Sequence, residues 1–68
     1  MESRWVKIYG ATMLHTVELV RQILEKEGLN AIVVNKQDSF YPSIGEIEIF
    51  VKSEFVIAAK KIIEDTAL

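Results

Sequence analysis

Hydrophobic and polar positions change period several times along the chain. Between Arg4 and Tyr9, Val6 and Ile8 alternate with Trp5, Lys7 and Tyr9, the two-residue period of a half-buried strand. Gly10 punctuates its end. From Met13 to Glu27 the apolar positions move to helical spacing, with Val17, Val20, Ile23 and Leu24 as one stripe and Leu14 and Leu19 at its flanks. Thr12 stands where an N-cap would, and Gly28 where a left-handed residue would close the helix. Arg21 and Lys26 complement the dipole in the later turns. Ala31 to Val34 is a short β-branched run that predicts a second strand. After a polar stretch, Ile47, Ile49 and Val51 alternate with Glu46 and Glu48, the clearest period-two signal in the sequence. Ser53 is placed to cap a last helix, whose stripe is Phe55, Val56, Ala59, Ile62 and Ile63, with Lys60, Lys61 and Glu64 facing water.

These elements predict strands over 4–9, 31–34 and 46–51 and helices over 13–27 and 54–65, in one domain covering residues 1–68. A right-handed crossover makes the first two strands parallel. The split form of that unit leaves a slot for the third strand, antiparallel to both. The expected fold is therefore α+β and ferredoxin-like: a βαββα chain with a three-stranded antiparallel/mixed sheet in the order 1-3-2, lacking the last strand. Both helices lie on one face.

The pleat turns Val6, Ile8, Ile47, Ile49 and Val51 toward the helices and leaves Trp5, Lys7, Tyr9, Glu46, Glu48 and Phe50 on the other face. A register with Lys7 opposite Glu48 sets Trp5 opposite Phe50 and Tyr9 opposite Glu46. A one-residue slip would expose the isoleucines, which disfavours it. Trp5, Lys7, Tyr9 and Phe50 are thus the candidate interface residues on a face that no helix covers, and strand 1 offers a bare edge beside them. Three accounts of this face compete: a homodimer or higher homo-oligomer, single-stranded RNA stacked on the aromatics, and coverage by the chain's own long side chains. Glu46 and Glu48 among the aromatics count against RNA.

Composition narrows the choices. At 68 residues the chain is near the lower limit for independent folding. Small domains lean on disulfides, metals or self-association. The absence of cysteine removes disulfides and thiolate zinc sites, so self-association is the expected aid. A net charge of −2 argues against a general nucleic-acid or anionic-membrane binder. The first residues show no apolar leader core and no run is long enough to span a membrane, so the expected compartment is the cytoplasm.

No catalytic constellation emerges, and a non-enzyme is expected. His15 and Glu18 share a helix face at a spacing that some metal sites use, but no further ligands join them. Three separated glycines form neither a dinucleotide fingerprint nor a P-loop. The turn at Gly10, Ala11 and Thr12 could hold an anion at the helix start. Ser39 lacks a histidine base. No metal or cofactor is expected. The 35–45 segment is long for a connection in so small a domain and mixes polar groups with two aromatics. Asn35, Asp38, Ser39, Tyr41 and Gly45 are its candidate ligand- or partner-binding residues. The structural alternative is that Asn35 and Asp38 form Asx-turns, Tyr41-Pro42 fixes a turn, and Gly45 takes a bulge or positive φ.

The stretches WVKIYGAT and VELVRQILEKEGLNAIVVNKQDSFYPSIGEIEIFV resemble a small bacterial domain family described as a "putative prokaryotic signal transducing protein". The likeness rests mainly on Asn35, Asp38, Ser39, Tyr41, Gly45 and Glu46, and Thr12-Met13 departs from the acidic or Asn residue more common before the first helix. The resemblance implies the ferredoxin-like fold and a loose similarity to P-II-type regulators, which are oligomeric and sense small molecules. It carries no enzyme activity. The expected function is a self-associating regulatory or signal-transducing module that binds a small ligand or a protein through the 35–45 loop. The alternative is a protein-binding adaptor that uses the open sheet face and the strand-1 edge.

Overall fold

A computed structural model describes residues 4–37 and 45–66. The elements are β1 (Trp5–Ala11), α1 (Leu14–Lys26), β2 (Ile32–Asn35), β3 (Ile47–Lys52), a single 3-10 turn at Ser53–Phe55, and α2 (Val56–Thr66). The sheet order is β1-β3-β2, with β3 antiparallel to both neighbours. The α+β class, the element order and the sheet order match the reading from periodicity. Both helices pack on one face of the sheet, and the Cα envelope is only 15 Å in its thinnest direction. That thickness holds one layer of strands and one of helices.

The core lies between those layers. Val17, Val20 and Leu24 of α1 meet Ile47, Ile49 and Val51 of β3, with Ala59 of α2 and Leu29 completing the buried set. Full burial of such side chains stabilises by about 1.5–3 kcal/mol each. Val56, Ile62 and Ile63 sit partly buried around them, and Ile23 is partly buried on α1. Leu14, Leu19 and Phe55 remain exposed.

The helix ends divide between expectation and correction. Gly28 has φ +89°, and its N–H donates to the Glu25 carbonyl while Leu29 donates to that of Leu24. This is the Schellman closure, with its hydrophobic contact supplied by buried Leu29 and Leu24. At the start, Met13 rather than Thr12 occupies the cap position, and no side chain caps the helix. Ser53 does not cap α2 either. It opens the 3-10 turn, donates its N–H to the Arg4 carbonyl at 2.6 Å, and receives the Arg4 N–H on its hydroxyl. Its polar groups extend the β1–β3 ladder by one residue instead.

The register also needs correcting. Lys7 lies opposite Phe50, not Glu48, and Trp5 lies opposite Lys52, not Phe50. The shift is two residues, so the faces are preserved. It matches all six residues of β3 to partners on β1, where the expected register would leave the end of β3 unpaired. Between Lys7 and Tyr9 the pairing slips by one residue at a β-bulge. Ile8 is the extra residue, and beyond it the faces exchange. Tyr9 therefore pairs with Ile49 and packs against the core, and does not stand on the open face opposite Glu46. Gly10 takes the open face opposite Glu48, and Ala11 faces inward opposite Ile47.

Where the chain returns to β3, Lys36 donates its N–H to the Glu46 carbonyl at 3.0 Å. Gly45 has φ +95°, the positive value its place in the sequence suggests. A Cβ there would lie 2.5 Å from the Lys36 carbonyl oxygen, whereas a Cβ on Gly28 would meet nothing within 4 Å. Gly45→Ala should therefore cost about 2 kcal/mol and Gly28→Ala about 1 kcal/mol. At about 4–8 °C per kcal/mol for a domain this small, thermal melts should show Gly45→Ala as clearly the worse variant. Equal melting temperatures would contradict the backbone clash.

Candidate functional site

Because Ile47, Ile49 and Val51 point into the core, Glu46, Glu48, Phe50 and Lys52 must point away from it. Their neighbours on β1 are Trp5, Lys7 and Gly10, and on β2 they are Ile32, Val34 and, one step past the strand, Lys36. Neither helix reaches this side. The face divides along the strands into an ionic end and an apolar end.

At the ionic end Glu48 sits on the central strand with only 9% of its surface exposed. Lys36 Nζ approaches one carboxylate oxygen at 3.0 Å and Lys7 Nζ the other at 3.2 Å. Lys7 also donates to Glu46 at 3.0 Å. Gly10 leaves room for that pair, since a Cβ there would lie 3.1 Å from the Lys7 Cε and 3.2 Å from a Glu46 oxygen. The hydrogen bond from Lys36, then that from Lys7, holds the Glu48 carboxyl below the usual carboxylate range against the opposing effect of burial. Hydrogen bonds to Glu46 and then Glu48 raise the Lys7 ammonium above its ordinary value.

At the apolar end Phe50 lies between Lys7 and Ile32, half-buried. Ile32 flanks it directly on β2, and Trp5 lies one diagonal step away on β1, opposite Lys52, each 43% exposed. Lys52 Nζ stands 5.9 Å from the centre of the Trp5 ring, a cation–π contact. Three large apolar side chains thus form a ledge across the sheet, held on rigid strands.

Of the four interface candidates, Trp5, Lys7 and Phe50 share this face and Tyr9 is on the opposite one. Ile32 and Lys36 belong to it as well. Their places follow from pairing β2 with β3, which the short run at residues 31–34 leaves unphased. Among the loop candidates, Asn35 accepts the Gln37 N–H on its side-chain oxygen at 2.9 Å, the Asx-turn. Gly45 closes the tight return to β3. Gln37 donates its side-chain amide to the Thr12 carbonyl at 2.5 Å, tying the start of the loop to the β1–α1 turn. Asp38, Ser39 and Tyr41 lie outside the described residues, as does the Tyr41-Pro42 turn. No group of three His, Asp or Glu side chains able to hold a metal ion occurs among the described residues.

The sign of the pH dependence follows from the two shifts. Glu48, depressed in the folded state, contributes stability that is present above its unfolded value near about 4.3 and is lost as pH falls through the lower folded value. Lys7, raised, contributes stability that is present below about 10.4 and is lost as pH rises through the higher folded value. Glu48→Gln should therefore melt below the wild type at about pH 7, with the gap closing on acidification toward about pH 3. A gap that stays constant across that range would show that the carboxylate charge is not what Lys36 and Lys7 hold.

No curated protein and no solved structure matches the chain. A family match extends over residues 5–67, from the first residue of β1 to just past α2. With nearly the whole domain covered, the chain belongs to the family described as "Putative prokaryotic signal transducing protein".

Proposed function

We propose that this domain is a cytoplasmic signal-transducing module that acts by binding rather than by catalysis, with the open sheet face as its contact surface. One observation carries the reading. Trp5, Phe50 and Ile32 form an apolar ledge on a face that neither helix covers, held on strands whose other side is the protein's core. Exposed aromatic and aliphatic groups fixed on a rigid element lose little side-chain entropy when a partner covers them, which makes them good anchors. Family membership gives the direction, signal transduction, and the face gives the means. The groove between α1 and α2, lined by Ile23, Lys26, Glu27, Ile62, Asp65 and Thr66, lies on the helix layer. The shifted carboxylate, Glu48, lies on the sheet's open face, so the two do not combine into a reaction site of the ordinary kind.

The face also favours a protein over a polyanion as its partner. Lys7 and Lys36 are engaged with Glu46 and Glu48, so phosphates approaching them would have to displace carboxylates. Lys36 and Glu46, which flank the 37–45 stretch of the loop, both join the ion pairs of this face. A partner on the sheet therefore sits next to the roots of that loop.

A photo-cross-linking amino acid placed at position 32, and separately at position 57, tests the reading in cells. Ile57 is 86% exposed on the helix layer and serves as the control. Adducts are expected from position 32 and not from position 57. Equal adducts from both positions, or none from position 32, would remove the open face from consideration.

A further inference from the structure

We infer that the groove between α1 and α2 is a binding site for a small aliphatic amine, whose alkyl chain lies on Ile23 and Ile62 and whose ammonium group is held by Glu27 and Asp65. The groove is on the helix layer, opposite the sheet face, so the two surfaces stand or fall separately.

Size and floor limit the ligand first. The groove measures about 360 Å³, at the lower end of the range for small-molecule sites. Its apolar part is Ile23 and Ile62, both partly buried, and Ile62 packs on the core below. An unbranched alkyl chain suits such a floor.

The polar lining selects the charge. Glu27 and Asp65 carry carboxylates, which only accept hydrogen bonds when ionised. Thr66 spends its one donor on the Ile62 carbonyl at 2.7 Å, which leaves its oxygen as a further acceptor. Lys26 is the one side chain of the lining that still donates. Two carboxylates against one ammonium leave the lining net negative. An anion would meet acceptors on both helices, whereas an ammonium ion brings three donors to them.

The places of these carboxylates in their helices point the same way. α1 ends at Lys26 with Glu27 as its C-cap, and α2 ends at Thr66. Both C-terminal ends therefore meet at the groove, each with the negative pole of its helix. An acidic residue there is repelled by that pole, and α2 has no basic residue in its last turn to offset it. Ion pairing does not offset it either. Among the described residues Glu18, Glu25, Glu46 and Glu48 are ion-paired, and Glu27 and Asp65 are not. Local electrostatics is thus unfavourable twice, at the two walls of one groove, and one bound cation relieves both. A metal ion suits the site less well, because among the described residues no third His, Asp or Glu side chain joins these two.

A two-dimensional NMR titration of the folded protein with pentylammonium chloride tests this, with 1-pentanol and sodium chloride as matched controls. Backbone amide resonances of residues 23–27 and 62–66 should shift and saturate with a dissociation constant on the order of 1 mM, the range open to so small a ligand. Neither control should saturate them over the same range. The double variant Glu27→Gln/Asp65→Asn should bind at least about tenfold more weakly. It should also melt at or above the wild-type temperature, since each change removes a charge that opposes its helix. Lys26→Gln should tighten binding. Resonances that do not respond, pentanol that saturates them as tightly, or a double variant that binds as well as the wild type would each overturn the ammonium site. A double variant that melts below the wild type overturns the unfavourable placement of the two carboxylates. An Nα-acetyl-lysine amide that binds at least about tenfold more tightly than pentylammonium overturns the free amine as occupant and assigns the groove to a lysine side chain of a protein.

Discussion

Among the described strands β3 alone has a neighbour on each side, and its pleat divides the molecule. Ile47, Ile49 and Val51 are fully buried on one side, so the helices can pack there and nowhere else. The alternate residues of the same strand, Glu46, Glu48, Phe50 and Lys52, are forced onto the other side whatever their chemistry. The placement of the surface is thus a by-product of making the core. Among the described residues no second layer lies over it. The domain accommodates Glu48 near the middle of the sheet by aiming one ammonium at each of its oxygens, Lys36 from β2's side and Lys7 from β1's.

Much of this architecture can be read from the sequence because the strongest signals are periodic ones. The alternation at residues 46–51 identifies the central strand and its inward face, and the stripe of Val17, Val20 and Leu24 identifies the helix that covers it. Gly28 and Gly45 are readable for a different reason: both need positive φ, and their neighbours mark an end and a return. Thr12 and Ser53 illustrate the opposite situation. Each has the chemistry of a cap, but a cap also requires the right backbone geometry, and Ser53 finds a competing partner in Arg4 across the ladder. Local propensity proposes such contacts and tertiary pairing decides among them.

Of the candidate surface, Trp5, Lys7 and Phe50 are legible in the sequence, while Tyr9, Ile32 and Lys36 are not. Ile32 and Lys36 depend on how a four-residue strand is phased against β3, and so short a run carries too few positions to settle its own phase. Tyr9 depends on a bulge. The trace of it is visible in retrospect: Val6 and Ile8 keep one alternation, while Tyr9 and Ala11 keep another that is displaced by one residue. Lys7 shows why a charge pair is a weak guide to register. Its long side chain reaches Glu48 and Glu46 from opposite Phe50, so the pairing energy is available in more than one alignment.

The bulge gives β1 two hydrophobic reading frames joined at Ile8. A strand with a single frame has all its inward positions locked in step, and a gain or loss of one residue would invert everything beyond it. β1 has already absorbed such a step, and the residue after the join that lands outside is glycine, the one that can lie beneath Lys7 and Glu46 without displacing them. Length changes in this family should therefore be tolerated near Ile8 only when they come with a matching exchange of small and large residues at the next two positions. In β3, where both neighbours read the same frame, they should not be tolerated at all.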